Sequence, residues 1–443
     1  MKNILKKLIP NFIFSWYHWL LAYLGALVYG FPSRKLIVIG VTGTKGKTTT
    51  CNLIAQILQG AGFKTGMATT VNFRIRDKEW INDYKQTMLG RFKLQKLLRQ
   101  MVSEGCKYAV IETSSEGILQ HRHKGINYSV AVFTNLSPEH IERHGSFENY
   151  RAAKLKLFEA VAKKKNGIGV YNLDDESTEY FLKIPMAKKM GYFLKSPLAP
   201  PKGGESLPPF REGWGGFGKL QIANIKLASD RTEFDFNSEN FITPLIGEVN
   251  MYNAAAAICV AISQGIGVDK IKEALKNAKP APGRLEVINE GQPFTVIVDY
   301  AHEPASLESA YKALKIFNPR KIIALLGAQG GGRDKSKRAA LGRLAGEYAD
   351  YVIITNEDPY DEDPTQILSE IKSGISNTQL PISNVYEILD RREAIKKALS
   401  LAKAGDAVIL TGKGGEVWMC VENGKKIPWQ ESEIVKEELR GMR

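Results

Sequence analysis

The chain has 443 residues, 44% of them hydrophobic, which is enough to bury two sizeable cores because single cores stop growing near about 250–300 residues. Its net charge of +14 suits phosphate-rich substrates or an anionic membrane surface, and no aromatic platform or base-reading basic helix accompanies that charge, so we expect no nucleic-acid partner. Four widely spaced cysteines form neither a disulfide framework nor a CxxC metal knuckle, and this usage fits a reducing cytoplasm.

The first predicted element is an apolar helix in residues 12–31, within an N-terminal region of residues 1–34. The segment is long enough to span a bilayer, but a span would place the preceding lysines outside, against the positive-inside tendency, and no cleavage site follows. Its aromatic residues suit a membrane interface; they are Trp16, Tyr17, Trp19, Tyr23 and Tyr29. We therefore predict contact with the inner face of the cell membrane. A helix packed on the protein's own surface is the alternative.

An α/β domain is predicted for residues 35–283. The apolar run Lys35–Val41 leads through a Gly/Thr-rich turn into a helical pattern at Thr48–Gly60. Later strand-like runs alternate with helical patterns, as in a domain with a largely parallel sheet; these runs are Tyr108–Glu112, Val130–Asn135 and Gly167–Asn172. Residues 195–219 are rich in proline and glycine, and we predict a flexible insert there.

A second alternation of strands and helices in residues 284–443 predicts a Rossmann-like C-terminal domain. Its strand-like runs are Thr295–Asp299, Lys321–Gly327, Tyr351–Thr355 and Ala407–Thr411. The segment Pro280–Arg284, which reads PAPGR, is the expected hinge.

The strongest local motif is a phosphate-binding, P-loop-type turn between the first strand and the first helix of the α/β domain. Residues 40–50 read GVTGTKGKTTT, and consecutive backbone N–H groups at a helix N-terminus bind phosphate oxygens. Lys47 is placed to offset the charge of the β- and γ-phosphates, and Thr48 to bind Mg²⁺ through its hydroxyl. Strict P-loop spacing needs a glycine where Val41 stands, so the match to general nucleoside triphosphatases is imperfect.

A zinc site is an alternative, because four of the six histidines fall in one short stretch; they are His121, His123, His140 and His144. His140 and His144 are four residues apart and can share a helix face, but the glutamate of an HExxH motif is absent. Oxygen-lined Mg²⁺ chemistry fits the phosphate loop better.

The loop resembles that of the Mur ligase family, which usually reads GTNGKTT, and further family segments follow in order between Lys35 and Trp429. These segments are IETSSEGILQHR (Ile111–Arg122), FTNLSPEHIERHG with NYRAAKLKLF (Phe133–Phe158), LIGEVNMYNAAAA (Leu245–Ala257), APGRLE (Ala281–Glu286), VDYAHEPASLE (Val298–Glu308), GGGRDKSKR (Gly330–Arg338) and GKGGE (Gly412–Glu416). Each is weak alone, but so many in sequence order are hard to obtain by chance.

The resemblance implies an ATP-dependent amide ligase of peptidoglycan precursor synthesis. Such an enzyme transfers the γ-phosphoryl group of ATP to a carboxylate, and an amine then displaces phosphate from the acyl phosphate. The implied acceptor is UDP-MurNAc-L-Ala-D-Glu, and the incoming amino acid is of the lysine or diaminopimelate type. Two alternatives stay open: a related ligase acting on a lipid-linked, polyglutamate or cyanophycin-like substrate, and a non-catalytic, membrane-tethered nucleotide-binding scaffold.

The resemblance also implies roles for individual residues. The implied catalytic residues are Lys47, Glu112, His140 and Lys154. Thr48 and Glu112 are expected at one Mg²⁺ and His140 at a second, where a carbamylated Lys154 would supply an anionic oxygen ligand. The implied ATP contacts are Gly43, Thr44, Lys45, Gly46, Lys47, Thr48, Thr49, Asn253, Arg284, Asp299 and His302.

The implied substrate contacts are Thr87, Ser114, Arg122, Arg333, Glu357, Asp358, Gly412 and Glu416, with Lys337 and Arg338 as further candidates for phosphate or carboxylate contacts. Where diaminopimelate-adding members read DNPR, residues 357–360 read EDPY. Loss of that arginine removes a carboxylate partner and the acidic run 357–363 suits a cationic side chain, so we favour lysine. The family's SSH becomes SSE at residues 114–116, and its GKGHE becomes GKGGE.

The family's usual uridine-binding domain has no counterpart before the phosphate loop, where only the apolar segment stands. A weaker hold on UDP-substrate, or an acceptor held at the membrane, is the expected result. We also expect domain closure about Arg284, because a hydrolysable acyl phosphate must be kept from water.

Overall fold

The computed structural model describes residues 11–138, 141–194 and 217–442, without the side chains of residues 11–15, 141, 142 and 217. The described chain forms two compact units. The first comprises residues up to Lys226 with Arg231–Leu245 and Val249–Ala278, and the second comprises Leu227–Asp230, Ile246–Glu248 and the chain from Lys279 onwards. Most of the predicted insert, residues 195–216, lies outside the described residues. The domain limits drawn from the sequence stay predictions.

An eleven-stranded sheet forms the centre of the first unit. Its strands are β1 (Ile37–Thr42), β2 (Thr65–Ala68), β3 (Asn72–Ile75), β4 (Lys78–Ile81), β5 (Tyr108–Glu112), β6 (Tyr128–Phe133), β7 (Ile168–Asn172), β8 (Lys188–Phe193), β9 (Phe217–Leu227), β10 (Thr232–Phe236) and β11 (Glu239–Thr243). They lie in the order β11-β10-β9-β8-β7-β6-β1-β5-β2-β3-β4. The seven strands from β9 to β2 in this order run parallel, and antiparallel pairing at β2-β3-β4 and β10-β11 occupies the two ends.

Helices cover both faces of this sheet, as its buried parallel strands require. They are α1 (Asn11–Val28), α2 (Lys47–Gly60), α3 (Arg91–Ser103), α4 (Ser115–Leu119), α5 (Ile141–His144), α6 (Phe147–Ala162), α7 (Thr178–Leu182), α8 (Glu248–Ser263) and α9 (Val268–Lys276), with a 3₁₀ turn at Pro32–Lys35. Successive strand residues point to opposite faces. Ile39 and Val110 pack with α2, α8 and α9, whereas Val38 and Ala109 pack with α3, α4, α6 and α7.

The predicted apolar helix is α1, and it packs against α3. None of the helices in the described part of the chain is long and apolar enough to cross a membrane.

The second unit contains a six-stranded sheet in the order β12-β13-β17-β14-β15-β16 and a two-stranded sheet β18-β19. Its strands are β12 (Glu286–Ile288), β13 (Thr295–Asp299), β14 (Ile322–Leu326), β15 (Tyr351–Thr355), β16 (Val385–Ile388), β17 (Ala407–Thr411), β18 (Trp418–Cys420) and β19 (Lys426–Pro428). All but β12 run parallel in the larger sheet. The helices are α10 (Pro304–Leu314), α11 (Lys337–Tyr348), α12 (Pro364–Ile375), α13 (Arg391–Leu401) and α14 (Glu431–Gly441), with 3₁₀ turns at Lys315–Phe317, Ile382–Asn384 and Glu422–Gly424. The predicted α/β class, with large parallel sheets, is confirmed.

Both sheets bring functional loops together at the carboxyl ends of adjacent parallel strands, where α/β proteins place ligands. In the first unit β1 lies between β5 and β6, so the segments after Thr42, Glu112 and Phe133 meet. In the second unit β17 lies between β13 and β14; Asp299 and Thr411 are register partners, so the segments after them meet too.

Candidate active site

Two glycines give the loop after β1 its shape. Gly43 has φ +154°, and a Cβ atom there would lie 1.9 Å from Thr134 Oγ1. Gly46 has φ +77°, and a Cβ atom there would lie 2.2 Å from Asn253 Oδ1. Such approaches are possible only without a side chain. The predicted contact residue Asn253 therefore lies directly against the loop.

Asn135, in the segment after β6, anchors the loop backbone. The Thr44 N–H donates to the Asn135 carbonyl at 2.8 Å, and the Lys45 N–H donates to the Asn135 side-chain oxygen at 2.8 Å. The Thr44 hydroxyl also lies 3.1 Å from the Tyr150 hydroxyl. These bonds fix the loop before any ligand arrives.

A pair of oxygen-bearing side chains lies in the first turn of α2 and at the end of β5. The buried Thr48 hydroxyl donates to Glu112 Oε2 at 2.9 Å, and the Thr70 N–H donates to the same oxygen at 2.8 Å. Glu112 is itself buried. A hydroxyl and a carboxylate side by side at a phosphate loop are ligands that Mg²⁺ prefers, so these residues fit the metal that the sequence implied.

Two lysines extend to the loop. Lys47 Nζ donates to the Thr44 carbonyl at 2.9 Å. Lys154, on α6, is buried; its Nζ donates to the Gly43 carbonyl at 2.7 Å and lies 4.4 Å from the centre of the Tyr150 ring. The structure thus gathers Gly43–Thr49, Glu112, Lys154 and Asn253 in one place.

His140 lies outside the described residues, so its role as a metal ligand stays a prediction. Its neighbour His144 is buried, with Nε2 3.1 Å from the Ser115 hydroxyl and its ring against that of Tyr150. In the same region Arg143 pairs with the exposed Glu116 at 2.8 Å. Glu116 is the residue that departs from the family's SSH.

The predicted acceptor contacts lie close in sequence or space to this loop. The Thr70 hydroxyl donates to that of Thr87 at 3.1 Å, which links Thr87 to the Glu112 environment. Ser114 Oγ caps α4 by accepting from the Gly117 N–H. Arg122 is held by the Gln120 side chain and the Met88 carbonyl.

In the second unit Arg284 and Asp299 flank Tyr300. Arg284 Cζ lies 4.4 Å from the centre of the Tyr300 ring, and Asp299 accepts from the backbone N–H groups of Leu285 and Ala301 at 2.7 and 2.8 Å. Burial raises the pKa of Asp299, although Arg284 lowers it. His302 Nδ1 lies 2.8 Å from the Tyr300 carbonyl. Contacts of these residues with a nucleotide stay predictions.

Glu357, after β15, is a buried carboxylate without a hydrogen-bond partner for either oxygen among the described residues. Burial raises its pKa to about 7, and the neighbouring Asp358 adds to the shift, while Lys413 and Arg391 oppose it. Gly412 has φ +102°, and a Cβ atom there would lie 2.4 Å from Glu357 Oε2. A buried acid with a raised pKa and unmet hydrogen-bonding capacity is typical of a ligand site.

Lys413 joins the other two predicted acidic residues. Its buried Nζ donates to Asp358 at 3.0 Å, to Glu416 at 2.7 Å and to the Trp418 carbonyl at 2.7 Å. Asp358 also accepts from the Cys420 N–H at 2.7 Å. Glu357, Asp358, Gly412 and Glu416 therefore lie close together and form one acidic cluster. Their contact with an incoming amino acid stays a prediction.

The basic run 333–338 divides into different environments. Arg333 is exposed. Lys337 pairs with Glu303, and the buried Arg338 pairs with Glu362 at 2.8 Å and Glu370 at 2.6 Å. Arg338 is thus already paired with two carboxylates inside the unit. Substrate contacts of Arg333, Lys337 and Arg338 stay predictions.

Sequence reasoning missed several residues that build these sites. Thr70, Asn135 and Tyr150 carry no motif of their own, although the last two fall within quoted family segments. Lys413 could have been found, because it stands between Gly412 and Gly414 in the GKGGE segment.

Comparison with known families gives two matches. Residues 41–261 match the Mur ligase middle domain, and residues 283–414 match the Mur ligase glutamate ligase domain.

Similar curated proteins cover nearly the whole chain. The UDP-N-acetylmuramoyl-L-alanyl-D-glutamate–2,6-diaminopimelate ligase of Geobacillus kaustophilus is 36% identical over 91% of this chain and 79% of its own length. The UDP-N-acetylmuramyl-tripeptide synthetase of a Roseiflexus species is 35% identical over 93% of this chain and 80% of its own.

Solved structures agree. A UDP-N-acetylmuramoyl-L-alanyl-D-glutamate–2,6-diaminopimelate ligase superimposes with a TM-score of 0.60 at 30% identity, over 92% of this chain and 79% of that one. The folylpolyglutamate synthase of Mycobacterium tuberculosis has a TM-score of 0.69 over 95% of this chain and 94% of that one, and at 16% identity it shows the fold alone.

Proposed function

Because the chain belongs to the Mur ligase family and is an ATP-dependent, ADP-forming ligase, we propose that it joins an amino acid to UDP-MurNAc-L-Ala-D-Glu in peptidoglycan precursor synthesis. The γ-phosphoryl group of ATP moves to the acceptor carboxylate, the incoming amine attacks the acyl phosphate, and phosphate leaves as the amide forms. Relatives that are 36% and 37% identical to this chain over the aligned residues carry names for the diaminopimelate-adding form of this reaction.

The observation that carries the proposal is the oxygen pair under the phosphate loop. The Thr48 hydroxyl and Glu112 Oε2 lie 2.9 Å apart, next to a loop whose backbone conformation requires glycine at Gly43 and Gly46. Both residues would hold Mg²⁺, which when bound supplies positive charge for the β- and γ-phosphates. Lys47 needs only to move from the Thr44 carbonyl to reach a phosphate oxygen. Backbone N–H groups at the start of α2 orient the triphosphate.

For a second Mg²⁺ we propose His140 and a carbamylated Lys154 as ligands. Lys154 is buried, and its Nζ lies 2.7 Å from the Gly43 carbonyl of the phosphate loop. A carbamate would convert this side chain into an oxygen ligand.

The acidic cluster around Glu357 supports an incoming amino acid with a cationic side chain. An ammonium group would meet a carboxylate whose oxygens have no partner among the described residues. Tyr360 stands where diaminopimelate-adding members have an arginine; it adopts φ +54°, and its N–H donates to the Cys420 carbonyl at 3.1 Å. We therefore keep lysine ahead of diaminopimelate as the amino acid added.

We further propose that residues 12–31 contact a membrane surface, which would hold the enzyme at the inner face of the cell membrane. The exposed apolar side chains of α1 support this contact. They also favour a second candidate function, in which the acceptor is a lipid-linked precursor.

Product formation by the full chain tests the proposal. Purified protein is incubated with Mg·ATP, UDP-MurNAc-L-Ala-D-Glu and either lysine or diaminopimelate, and ADP and the tripeptide product are both measured. We expect product with lysine, and at least a roughly 100-fold lower turnover in Lys47→Ala. Lys276→Ala, an exposed lysine on α9, serves as the control and should retain activity.

Three results would count against parts of the proposal. Product with diaminopimelate but not lysine would reverse the amino-acid assignment. Activity only with a lipid-linked acceptor would move the chain to the second candidate. No amide with any acceptor, or full activity in Lys47→Ala, would contradict the ligase reaction itself.

A further inference from the structure

Helix α1 turns its small residues toward the protein and its large apolar residues toward solvent. Ala22 and Ala26 are buried, and a Cβ atom on Gly25 would lie 3.6 Å from the Arg91 and Phe92 backbone at the start of α3. The opposite side exposes five residues at helical spacing; they are Trp16, Leu20, Tyr23, Leu24 and Leu27. Trp16 is 67% exposed and Leu27 62%.

This distribution is the reverse of that in an ordinary surface helix, which turns charged or polar residues to water. The α1 sequence contains no aspartate, glutamate, lysine or arginine, and His18 is half-buried. Charged side chains that could specify a protein partner are therefore absent from this helix. Tryptophan and tyrosine with leucine are instead the residues that favour the boundary between lipid headgroups and acyl chains.

Basic residues stand on the elements that adjoin α1 in space or in sequence. Helix α3, which packs along α1, carries four basic residues and no acidic one. Three of them are exposed, namely Lys93, Lys96 and Arg99. Arg34 and Lys35, just after α1, are exposed as well. We call these five residues the basic border.

A second group of basic residues lies near a turn that packs on α1. A Cβ atom on Gly125 would lie 2.8 Å from the Ala26 side chain, so the turn containing Gly125 packs on the helix. Burial lowers the pKa of the adjacent Lys124, and Lys163 and Lys156 lower it further, while Glu159 opposes the shift. Lysines therefore lie close together next to this turn.

We propose that the exposed face of α1 and the basic border together bind the headgroup region of an anionic phospholipid membrane, with α1 lying in the plane of the membrane. The inference rests on the proposed membrane contact of residues 12–31 and adds the lipid class, the helix orientation and the second contact region. Apolar insertion alone would not distinguish lipids, whereas each basic side chain near an anionic surface strengthens binding by roughly fivefold.

Vesicle co-sedimentation of the full chain tests this inference. Vesicles of phosphatidylcholine alone are compared with vesicles containing about one third phosphatidylglycerol, at low and at high salt. The face variant replaces Trp16, Leu20 and Leu27 by serine. The border variant replaces Lys93, Lys96 and Arg99 by glutamine. The control variant replaces Lys270, Lys272 and Lys276 of α9, on the other face of the sheet, by glutamine.

We expect the parent and the control variant to bind anionic vesicles with equal strength. The border variant should bind them on the order of 100-fold more weakly, with a smaller salt dependence, and the face variant should bind neither kind of vesicle. Far-UV circular dichroism and ligase turnover check that each variant is folded.

The outcomes distinguish the anionic-lipid inference from the membrane contact of residues 12–31 on which it rests. Equal binding to neutral and anionic vesicles, or equal losses in the border and control variants, would overturn the anionic-lipid inference and leave the membrane contact standing. No vesicle binding by the parent would overturn both the anionic-lipid inference and the membrane contact. If the parent then formed dimers that dissociated in the face variant, the apolar face would be assigned to contact with a second copy of the chain. Ligase turnover is measured apart from vesicles, so neither result bears on catalysis.

Discussion

At the scale of single residues, Glu112 combines two tasks in one carboxylate. Its Oε2 accepts hydrogen bonds from the Thr48 hydroxyl and the Thr70 N–H, so the same oxygen that is proposed to meet a metal also ties the loop after β2 to α2. Removing its charge while keeping its shape should therefore affect metal use more than folding.

We predict that Glu112→Gln lowers turnover by at least about 100-fold. The Mg²⁺ concentration for half-maximal activity should rise, while thermal stability changes little because an amide still accepts at this position. Steady-state kinetics across a Mg²⁺ series measure both effects. Glu104→Gln, at an exposed residue of the same unit, is the control. An unchanged Mg²⁺ requirement would remove Glu112 from the metal site.

Glu357 gives a pH-dependent prediction. Its pKa is about 7 in the folded protein against an ordinary value of 4.5, so the folded state binds the proton more tightly than the unfolded state. Stability from this group is fully present below about pH 4.5 and is lost as pH rises through 7, by roughly 3 kcal/mol in total. Glu357→Gln should lack this loss.

Urea unfolding of parent and Glu357→Gln between pH 5 and pH 8 provides the measurement. The difference in unfolding free energy should change with pH in favour of the variant. Lysine should oppose the change in the parent, because an ammonium group beside Glu357 stabilises its ionised form. Parallel pH profiles for the two proteins would show that Glu357 does not titrate in this range.

Motif residues were predictable one by one, but their partners were not. Lys47, Thr48 and Glu112 stand in segments whose sequence pattern indicates phosphate chemistry. Thr70 donates to Glu112 through its backbone N–H. Any residue other than proline could supply this group, so the residue type does not reveal the contact. The sequence likewise could not reveal that Arg338 pairs with Glu362 and Glu370.

At the scale of elements, the phosphate loop depends on glycines more than on its polar residues. We predict that Gly43→Ala weakens ATP binding at least about tenfold, because its Cβ atom would collide with Thr134 Oγ1 and φ +154° is unfavourable for alanine. Isothermal titration with Mg·ATP measures the affinity. Gly267→Ala, at an N-cap with open space around it, should bind as the parent does. Equal affinities for both variants would contradict the steric argument.

Buried parallel strands were easier to predict from the sequence than the strands at the edges of the sheet. The runs at Tyr108–Glu112 and Ala407–Thr411 coincide with β5 and β17, because buried parallel strands are continuous apolar segments. The hairpin β3-β4 and the pair β10-β11 were not foreseen. Edge strands are short and half polar, as the exposed and partly exposed residues of β4 show. Their sequences therefore resemble those of loops.

At the scale of the whole molecule, each compact unit has its own apolar core. We therefore predict two calorimetric unfolding transitions. Mg·ATP at about 100 times its dissociation constant should stabilise the unit that contains the loop by roughly 2.7 kcal/mol. Lys47→Ala should show two transitions without the ATP-dependent shift. A single transition in the parent would mean that the units unfold together.

The two-unit organisation and the family could be predicted from the sequence, because the phosphate-loop motif and the second strand-helix alternation are both local sequence patterns. The proposed closure about Arg284 stays a prediction, since it concerns motion that no local pattern encodes.

Lys413 has a further consequence for which amino acids the acidic cluster can accept. Its ammonium donates to both Asp358 and Glu416, whereas the oxygens of Glu357 have no hydrogen-bond partner among the described residues. A guest with a positively charged side chain would supply a partner for Glu357. Ornithine, with a shorter arm, should lose affinity only through poorer fit, whereas norleucine, of similar length but uncharged, should be refused.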